Sequence, residues 1–274
     1  MPTALLQSLS IALLAITGAR TGIWFARRPS RWWLAGFLLP LLIILMIGLP
    51  RRHYPLAFVP PFRWLVAGRT EFALVAPLAA MMMATPIARL PRRRSRWGAG
   101  VFVAIFIVQA SIMPFLMPAI QRPEMAALHT NIRSDGVCRQ STDYTCGPAA
   151  AVTALRALAI SAEESDLAVA AHTSRSTGTE PDVLAEALAE RYASQGLSVE
   201  YRPFANCREL PRDRPIIALI NYRFLIDHYV AILEVGDDWL VIGDPLSGRT
   251  RMTHAQFEAN WRHVGIVLSR KTAQ

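Results

Sequence analysis

The chain has 274 residues, 53% of them hydrophobic, and a formal net charge of +9. Residues 1–120 contain thirteen arginines and a single acidic residue, Glu71, whereas residues 121–274 contain sixteen basic and nineteen acidic residues. The positive charge therefore belongs to the more apolar half, which argues against a nucleic-acid-binding protein. The composition instead predicts a membrane part followed by a soluble part.

Four apolar runs lie in the first half, over residues 3–25, 32–49, 72–88 and 97–120. Each reaches or approaches the ~17–25 residues that a helix needs to cross the hydrocarbon core of a bilayer. No basic residue precedes the first run and no clean cleavage site follows it, so we expect a retained helix rather than a secretory signal. Residues 1–120 are thus predicted to form an all-α transmembrane domain of about four helices.

Arginines in the connections between the runs indicate how the predicted helices are oriented in the membrane. Eight arginines lie in the short connections 26–31 and 89–96, against four in the longer connection 50–71. Because cytoplasmic loops carry an excess of basic residues, both short connections are expected inside a bacterial cytoplasmic membrane. Four crossings then place the C-terminal half on the non-cytoplasmic side, whereas three crossings would place it in the cytoplasm.

The second half divides into a linker of mixed charge, 121–136, and a soluble domain, 137–274. Helical patterns come first in this domain. Ser161 and Glu164 would form a capping box at the start of the second helix. Three helices are predicted, from Cys146 to about Ala159, from about Ser161 to Ala171, and from Pro181 to Gly196.

Apolar and β-branched runs follow the helices and indicate strands at 198–204, 215–222, 228–235, 239–244 and 263–269. A tight hairpin is expected at residues 236–238, and a short helix from Thr253 to about Trp261. Helices followed by strands predict an α+β domain in which an antiparallel sheet packs against a helical lobe.

Cys146 is the candidate nucleophile. It is followed by Gly147-Pro148 at a predicted helix start, and a helix N-terminus favours the reactive thiolate. An isolated cysteine is more often a buried, inert residue. Two cysteine arrangements stay open: a disulfide between Cys138 and Cys207 with Cys146 free, or three free thiols. The chain has no cysteine or histidine pair at ligand spacing, so we expect no metal and no other cofactor.

His228 is the candidate base among six histidines. It opens a predicted strand, and Asp244 ends the next one, so antiparallel pairing would bring the two side chains together. Asp244 would then hold the imidazole tautomer. Gln140, six residues before Cys146, would donate to the oxyanion of a reaction intermediate. The other five histidines lie in connections or beside helix ends, where surface or structural roles are usual.

Three motifs together resemble one known family. They are QSTDYTCGPAA around Cys146, STGTEPDVLAEAL at 176–188, and DHYVAILEVGDDWLVIGDPLSG at 227–248. Their order and spacing are similar to those of the bacteriocin-processing, double-glycine leader cysteine peptidases, cysteine peptidase family thirty-nine. The resemblance covers roughly residues 135–269.

This resemblance implies a papain-like fold in which Cys146 is the nucleophile, His228 the acid and base, Asp244 its orienting partner and Gln140 the oxyanion donor. It also implies a peptide or leader-containing substrate cleaved after Gly-Gly or similar small residues. Thr145 departs from the family, in which Asp often precedes the nucleophile. The single lysine, Lys271, rules out a phosphate-binding GxxxxGK motif, so ATP is not expected to bind and any export would require a separate protein.

Three functions remain open at this point. The favoured one is a membrane-anchored cysteine endopeptidase. A non-catalytic module that holds a secreted substrate beside an exporter is the second, although such modules commonly lose the cysteine or the histidine, which this chain retains. The third is another acyl transfer by the same triad.

Overall fold

The structure is a computed structural model that describes residues 2–29, 31–66, 70–223 and 226–270. The chain forms two compact units. The helical unit comprises Met1–Arg52 and Val59–Ala119, and the sheet unit comprises His53–Phe58 and Ile120–Gln274.

The helical unit is built from long apolar helices. Its elements are α1 (Pro2–Ala26), α2 (Trp32–Arg52), a short α3 (Phe62–Val66), α4 (Thr70–Ile87), α5 (Arg93–Ile107), a π-helical turn (Val108–Ile112) and α6 (Met113–Ile120). Among the residues that the structure describes, four stretches are long and apolar enough to span a bilayer: Ala4–Ala26, Trp32–Arg52, Thr70–Ile87 and Arg93–Ile120. The predicted set of four apolar helices is therefore confirmed.

Small residues let α1 approach α4 closely. A Cβ atom at Gly18 would overlap the carbonyl oxygen of Pro77, and one at Gly22 would overlap that of Met81. This spacing of small residues is typical of helix contacts in membranes, where no hydrophobic effect drives helices together. The buried hydroxyl of Thr85 lies 2.8 Å from the carbonyl oxygen of Met81, as expected for a polar group that must be satisfied within the helix bundle.

In the sheet unit most helices precede a six-stranded antiparallel sheet. Its helices are α7 (Arg122–Ala126), α8 (Cys146–Ala157), α9 (Glu164–Ala170), α10 (Pro181–Tyr192) and α11 (His254–Glu258). Its strands are β1 (Asn131–Ile132), β2 (Cys138–Arg139), β3 (Leu197–Pro203), β4 (Ile216–Arg223), β5 (Ile226–Val235), β6 (Trp239–Asp244), β7 (Gly248–Thr253) and β8 (Trp261–Arg270). Strands β1 and β2 pair with each other, and the other six form the sheet in the order β3-β8-β4-β5-β6-β7. The predicted α+β class is confirmed.

Both faces of the central strands are buried. Ile217 and Ala231 contact the cluster beneath α8, α9 and α10, whereas Ile216 and Ile232 belong to a second cluster on the opposite face. Alternate residues of a strand point to opposite faces, so a strand covered on both sides needs an uninterrupted apolar run. This explains why β4 and β5 read as continuous hydrophobic segments.

The structure differs from the sequence-based expectations in three places. The predicted capping box of Ser161 and Glu164 is wrong, because α9 begins at Glu164 and the carboxylate of that residue binds Ser141 instead. Strand β7 was not predicted, because it is an edge strand with mostly exposed residues. Residues 121–136, expected as a linker, contain α7 and β1, and Met125 is buried.

Candidate active site

Cys146 is the first residue of α8 and is partly exposed. Its backbone N–H, like those of any first helical turn, has no acceptor within the helix. Cys138 and Cys207 differ from it, because both are fully buried and burial raises the pKa of each thiol to about 12. All three thiols are free, and Cys138 and Cys207 belong to separate hydrophobic clusters. The structure thus has the arrangement without a disulfide.

His228 lies near the start of β5, and its side chain is 5% exposed. The hairpin that joins β5 to β6 brings its Nε2 atom to 2.7 Å from Oδ1 of Asp244, at the end of β6. Burial lowers the pKa of His228, but hydrogen bonds to Asp244 and Cys146 and the charges of those groups outweigh it and raise the pKa to about 9. With Nε2 on Asp244, Nδ1 is the ring nitrogen left for the Cys146 sulfur.

Asp244 is held by three donors. Besides the imidazole, the Leu246 N–H donates to its Oδ1 at 2.8 Å and the Ser247 hydroxyl donates to its Oδ2 at 2.6 Å. Burial raises the pKa of Asp244, but these hydrogen bonds, that of His228 first, lower it to about 2. The carboxylate is therefore ionised at neutral pH and stabilises a protonated imidazole.

Gln140 lies just after β2, beside the loop that follows Asp244. Its backbone N–H donates to the carbonyl oxygen of Pro245 at 3.3 Å, and its side-chain Nε2 donates to the carbonyl oxygen of Thr142 at 2.7 Å. The Oε1 atom is buried and has no hydrogen-bond partner among the described residues. Because an amide nitrogen carries two hydrogens, one N–H of Gln140 stays available to another acceptor.

The turn between Gln140 and Cys146 is fixed by side chains that the sequence did not reveal. The Thr142 N–H donates to the hydroxyl of Thr145 at 3.1 Å, so Thr145 stabilises the turn as a neutral residue. Glu164 is fully buried and accepts hydrogen bonds from the N–H of Ser141 at 2.9 Å and from its hydroxyl at 2.7 Å. Nothing in the spacing from Ser141 to Glu164 signals this contact.

Ser247 is another residue that the sequence analysis missed. An Asp-Pro-x-Ser segment is the kind of turn in which an aspartate accepts hydrogen bonds from the following residues. That local pattern could have indicated both Leu246 and Ser247 as partners of Asp244.

Within residues 2–29, 31–66, 70–223 and 226–270, no group of three or more His, Cys, Asp or Glu side chains is arranged to hold an ion. The groups gathered at Cys146 are those of nucleophilic catalysis: a thiol, an imidazole and a carboxylate.

Comparison with known sequences identifies the family. The profile of the Peptidase C39 family matches residues 135–273, which is about half of the chain. The chain belongs to the peptidase C39 family. The family predicted from the three motifs is thereby confirmed. The matched residues lie in the sheet unit, and we call them the C39 domain.

Several known proteins are similar to this chain over the C39 domain. An uncharacterized protein of Methanothermobacter marburgensis is 30% identical over 135 residues, which are 49% of this chain and 89% of that protein. The peptidase domain of Streptococcus ComA, described as a bi-functional ABC transporter, is 21% identical with a TM-score of 0.42, covering 48% of this chain and 96% of that one. A double glycine motif protease from an AMS/PCAT transporter, solved with its leader peptide, is 18% identical with a TM-score of 0.43, covering 53% and 96%.

We predict that Asp244→Asn lowers the pKa of His228, because the substitution removes the negative charge next to the imidazole. The titration of the His228 imidazole, followed by NMR, should show an inflection near pH 9 in the wild-type C39 protein. In Asp244→Asn this inflection should move lower by about 1 to 3 pH units.

Ser247→Ala is the matched control, because it removes one hydrogen bond to Asp244 and keeps the carboxylate. Its inflection should stay close to that of the wild type. Superimposable profiles for wild type and Asp244→Asn would contradict the electrostatic coupling of His228 to Asp244.

Proposed function

We propose that this C39 protein is a membrane-anchored cysteine endopeptidase that cleaves a peptide or leader at a Gly-Gly or similar small-residue site. The observations that carry the proposal are the position of Cys146 at the N-terminus of α8 and the 2.7 Å hydrogen bond between Nε2 of His228 and Oδ1 of Asp244. A thiol that served only packing would not need an ionised carboxylate behind its imidazole partner.

Acylation begins at the sulfur of Cys146. A nearby protonated imidazole favours the thiolate, and so does the helix N-terminus. The thiolate attacks the carbonyl carbon of the scissile peptide bond and forms a tetrahedral oxyanion. The Cys146 N–H and the free N–H of the Gln140 amide would donate to that oxygen.

His228 then acts as the acid. The imidazolium donates its proton to the nitrogen of the leaving amine, the carbon–nitrogen bond breaks, and the acyl group stays on the sulfur. This proton is present at neutral pH and is lost as the pH rises through about 9. In the second half-reaction His228 removes a proton from water, the hydroxide attacks the thioester, and the thiolate leaves with the acid product released.

The four apolar helices support attachment to a lipid bilayer. The two short connections between the helices are rich in arginine, so we expect them on the cytoplasmic side. With four crossings, the C39 domain would then lie on the opposite side of a bacterial cytoplasmic membrane. The substrate would then be a secreted peptide or protein, and its passage through the membrane would depend on a separate exporter.

We predict that Cys146→Ala abolishes cleavage of synthetic leader peptides that contain a Gly-Gly site. Loss of the nucleophile should reduce kcat/KM by at least about 10³-fold, because the remaining groups cannot form the acyl-enzyme. Cleavage by the full-length protein in detergent micelles, followed by mass spectrometry of the products, checks this.

Cys207→Ala is the matched control, because Cys207 is buried in the cluster on the other face of the sheet. It should keep activity near the wild-type level. Cleavage that persists in Cys146→Ala would refute the proposal, and binding of the peptide without any cleavage by the wild type would favour a non-catalytic module.

We further predict that Gln140→Ala lowers kcat by about 10²- to 10³-fold with little change in KM, as expected for a donor that acts mainly on the oxyanion. Steady-state kinetics on the same peptides measure the effect. Gln195→Ala, at an exposed position after α10, controls for loss of a glutamine amide. An unchanged kcat in Gln140→Ala would remove Gln140 from the oxyanion site.

A further inference from the structure

A short segment of the connection between α2 and α3 belongs to the sheet unit. This segment is His53–Phe58, within which Tyr54–Phe58 forms a 3-10 helix. Tyr54 and Phe58 pack against the hydrophobic cluster that contains Ile217 and Ala231. The ring of Phe58 lies edge-on to that of Tyr201, with 4.8 Å between the centroids. We call this segment, residues 54–58, the strap.

The strap reaches the residue next to His228. The hydroxyl of Tyr54 donates to Oδ2 of Asp227 at 2.9 Å. On the other carboxylate oxygen, Oδ1, Asp227 accepts from Nε of Arg262 at 2.8 Å. Arg262 also reaches Oδ1 of Asn221 at 3.3 Å, and Asn221 is the register partner of Asp227 on β4. Asp227 therefore joins the strap to β4, β5 and β8.

This hydrogen-bond network around Asp227, the Asp227 network, lies where β5 pairs with only one neighbouring strand. The pairing of β5 with β6 runs from Ala231 to Val235, so His228 precedes it. On the other side, His228 pairs with Ile220 of β4, and the register of β4 shifts between Asn221 and Arg223. The backbone at His228 is thus paired on one side only, unlike that at Ala231 and Ile232, and the Asp227 network supplies an additional anchor one residue away.

We infer that Tyr54 is a positioning residue for His228 and that it acts through Asp227. The inference rests on the proposed function and extends it: a side chain from the connection between two apolar helices completes the anchor of the triad histidine. The phenol hydroxyl is the group that matters, because it donates to the carboxylate, whereas the ring packs against the hydrophobic cluster.

The test uses the full-length protein in detergent micelles and the substitution Tyr54→Phe, which keeps the ring and removes the hydroxyl. The rate of Cys146 alkylation by iodoacetamide at pH 7 should fall by about 3- to 10-fold, the range that one lost hydrogen bond produces. Cleavage of Gly-Gly peptides should show the same loss in kcat with KM unchanged. A purely structural role would lower the melting temperature without this selective loss.

Tyr192→Phe is the matched control, because Tyr192 is a buried tyrosine of α10 that takes no part in the Asp227 network. It should alkylate and cleave at wild-type rates. Asp227→Asn gives a second, independent measurement: if Tyr54 acts through Asp227, the double variant should be no slower than Asp227→Asn alone.

The outcomes separate this inference from the proposed function. Wild-type alkylation and cleavage rates in Tyr54→Phe, or fully additive effects of Tyr54→Phe and Asp227→Asn, would overturn the role of Tyr54 while leaving the triad intact. A wild-type protein that cleaves no peptide would contradict the proposed function, and the alkylation rates, which need no substrate, would still decide the role of Tyr54.

Discussion

The geometry of the candidate active site depends on one hydrogen bond, between Nε2 of His228 and Oδ1 of Asp244. It crosses from β5 to β6 and fixes which nitrogen of the ring is left for Cys146. Cys146 lies on a different element, at the N-terminus of α8. The C39 domain therefore has to hold a helix against a sheet accurately enough for a sulfur and an imidazole to meet.

The packing around α8 explains how this accuracy is reached. Every residue from Gly147 to Leu155 is buried, and most are small, so the helix lies close to β5. Thr153 adds a directional contact, because its hydroxyl accepts from the N–H of Cys138 at 3.0 Å, just before Gln140. Glu164 fixes Ser141 on the other side of Gln140. The loop that carries the proposed oxyanion donor is thus held at both ends by buried polar groups, which are costly to leave unpaired.

The parts of this arrangement that sequence could predict are local. The Gly-Pro pair after Cys146 indicates a helix start, and a hairpin of known turn position brings His228 to Asp244. Long apolar runs likewise indicate the membrane helices. Contacts between distant segments could not be predicted: Glu164 looked like a helix cap, and Tyr54 lies between two apolar runs with no pattern that links it to Asp227. Those pairings come from the folded path of the chain and not from any periodicity.

The most direct test of this account is an NMR titration of the His228 imidazole in the full-length protein, with His228→Gln used to assign the signal. We expect a pKa near 9 in the wild type and a lower value in Cys146→Ala, because the sulfur is one of the groups that stabilises the imidazolium. A His228 signal that titrates near the ordinary value of about 6.5 in both proteins would contradict it.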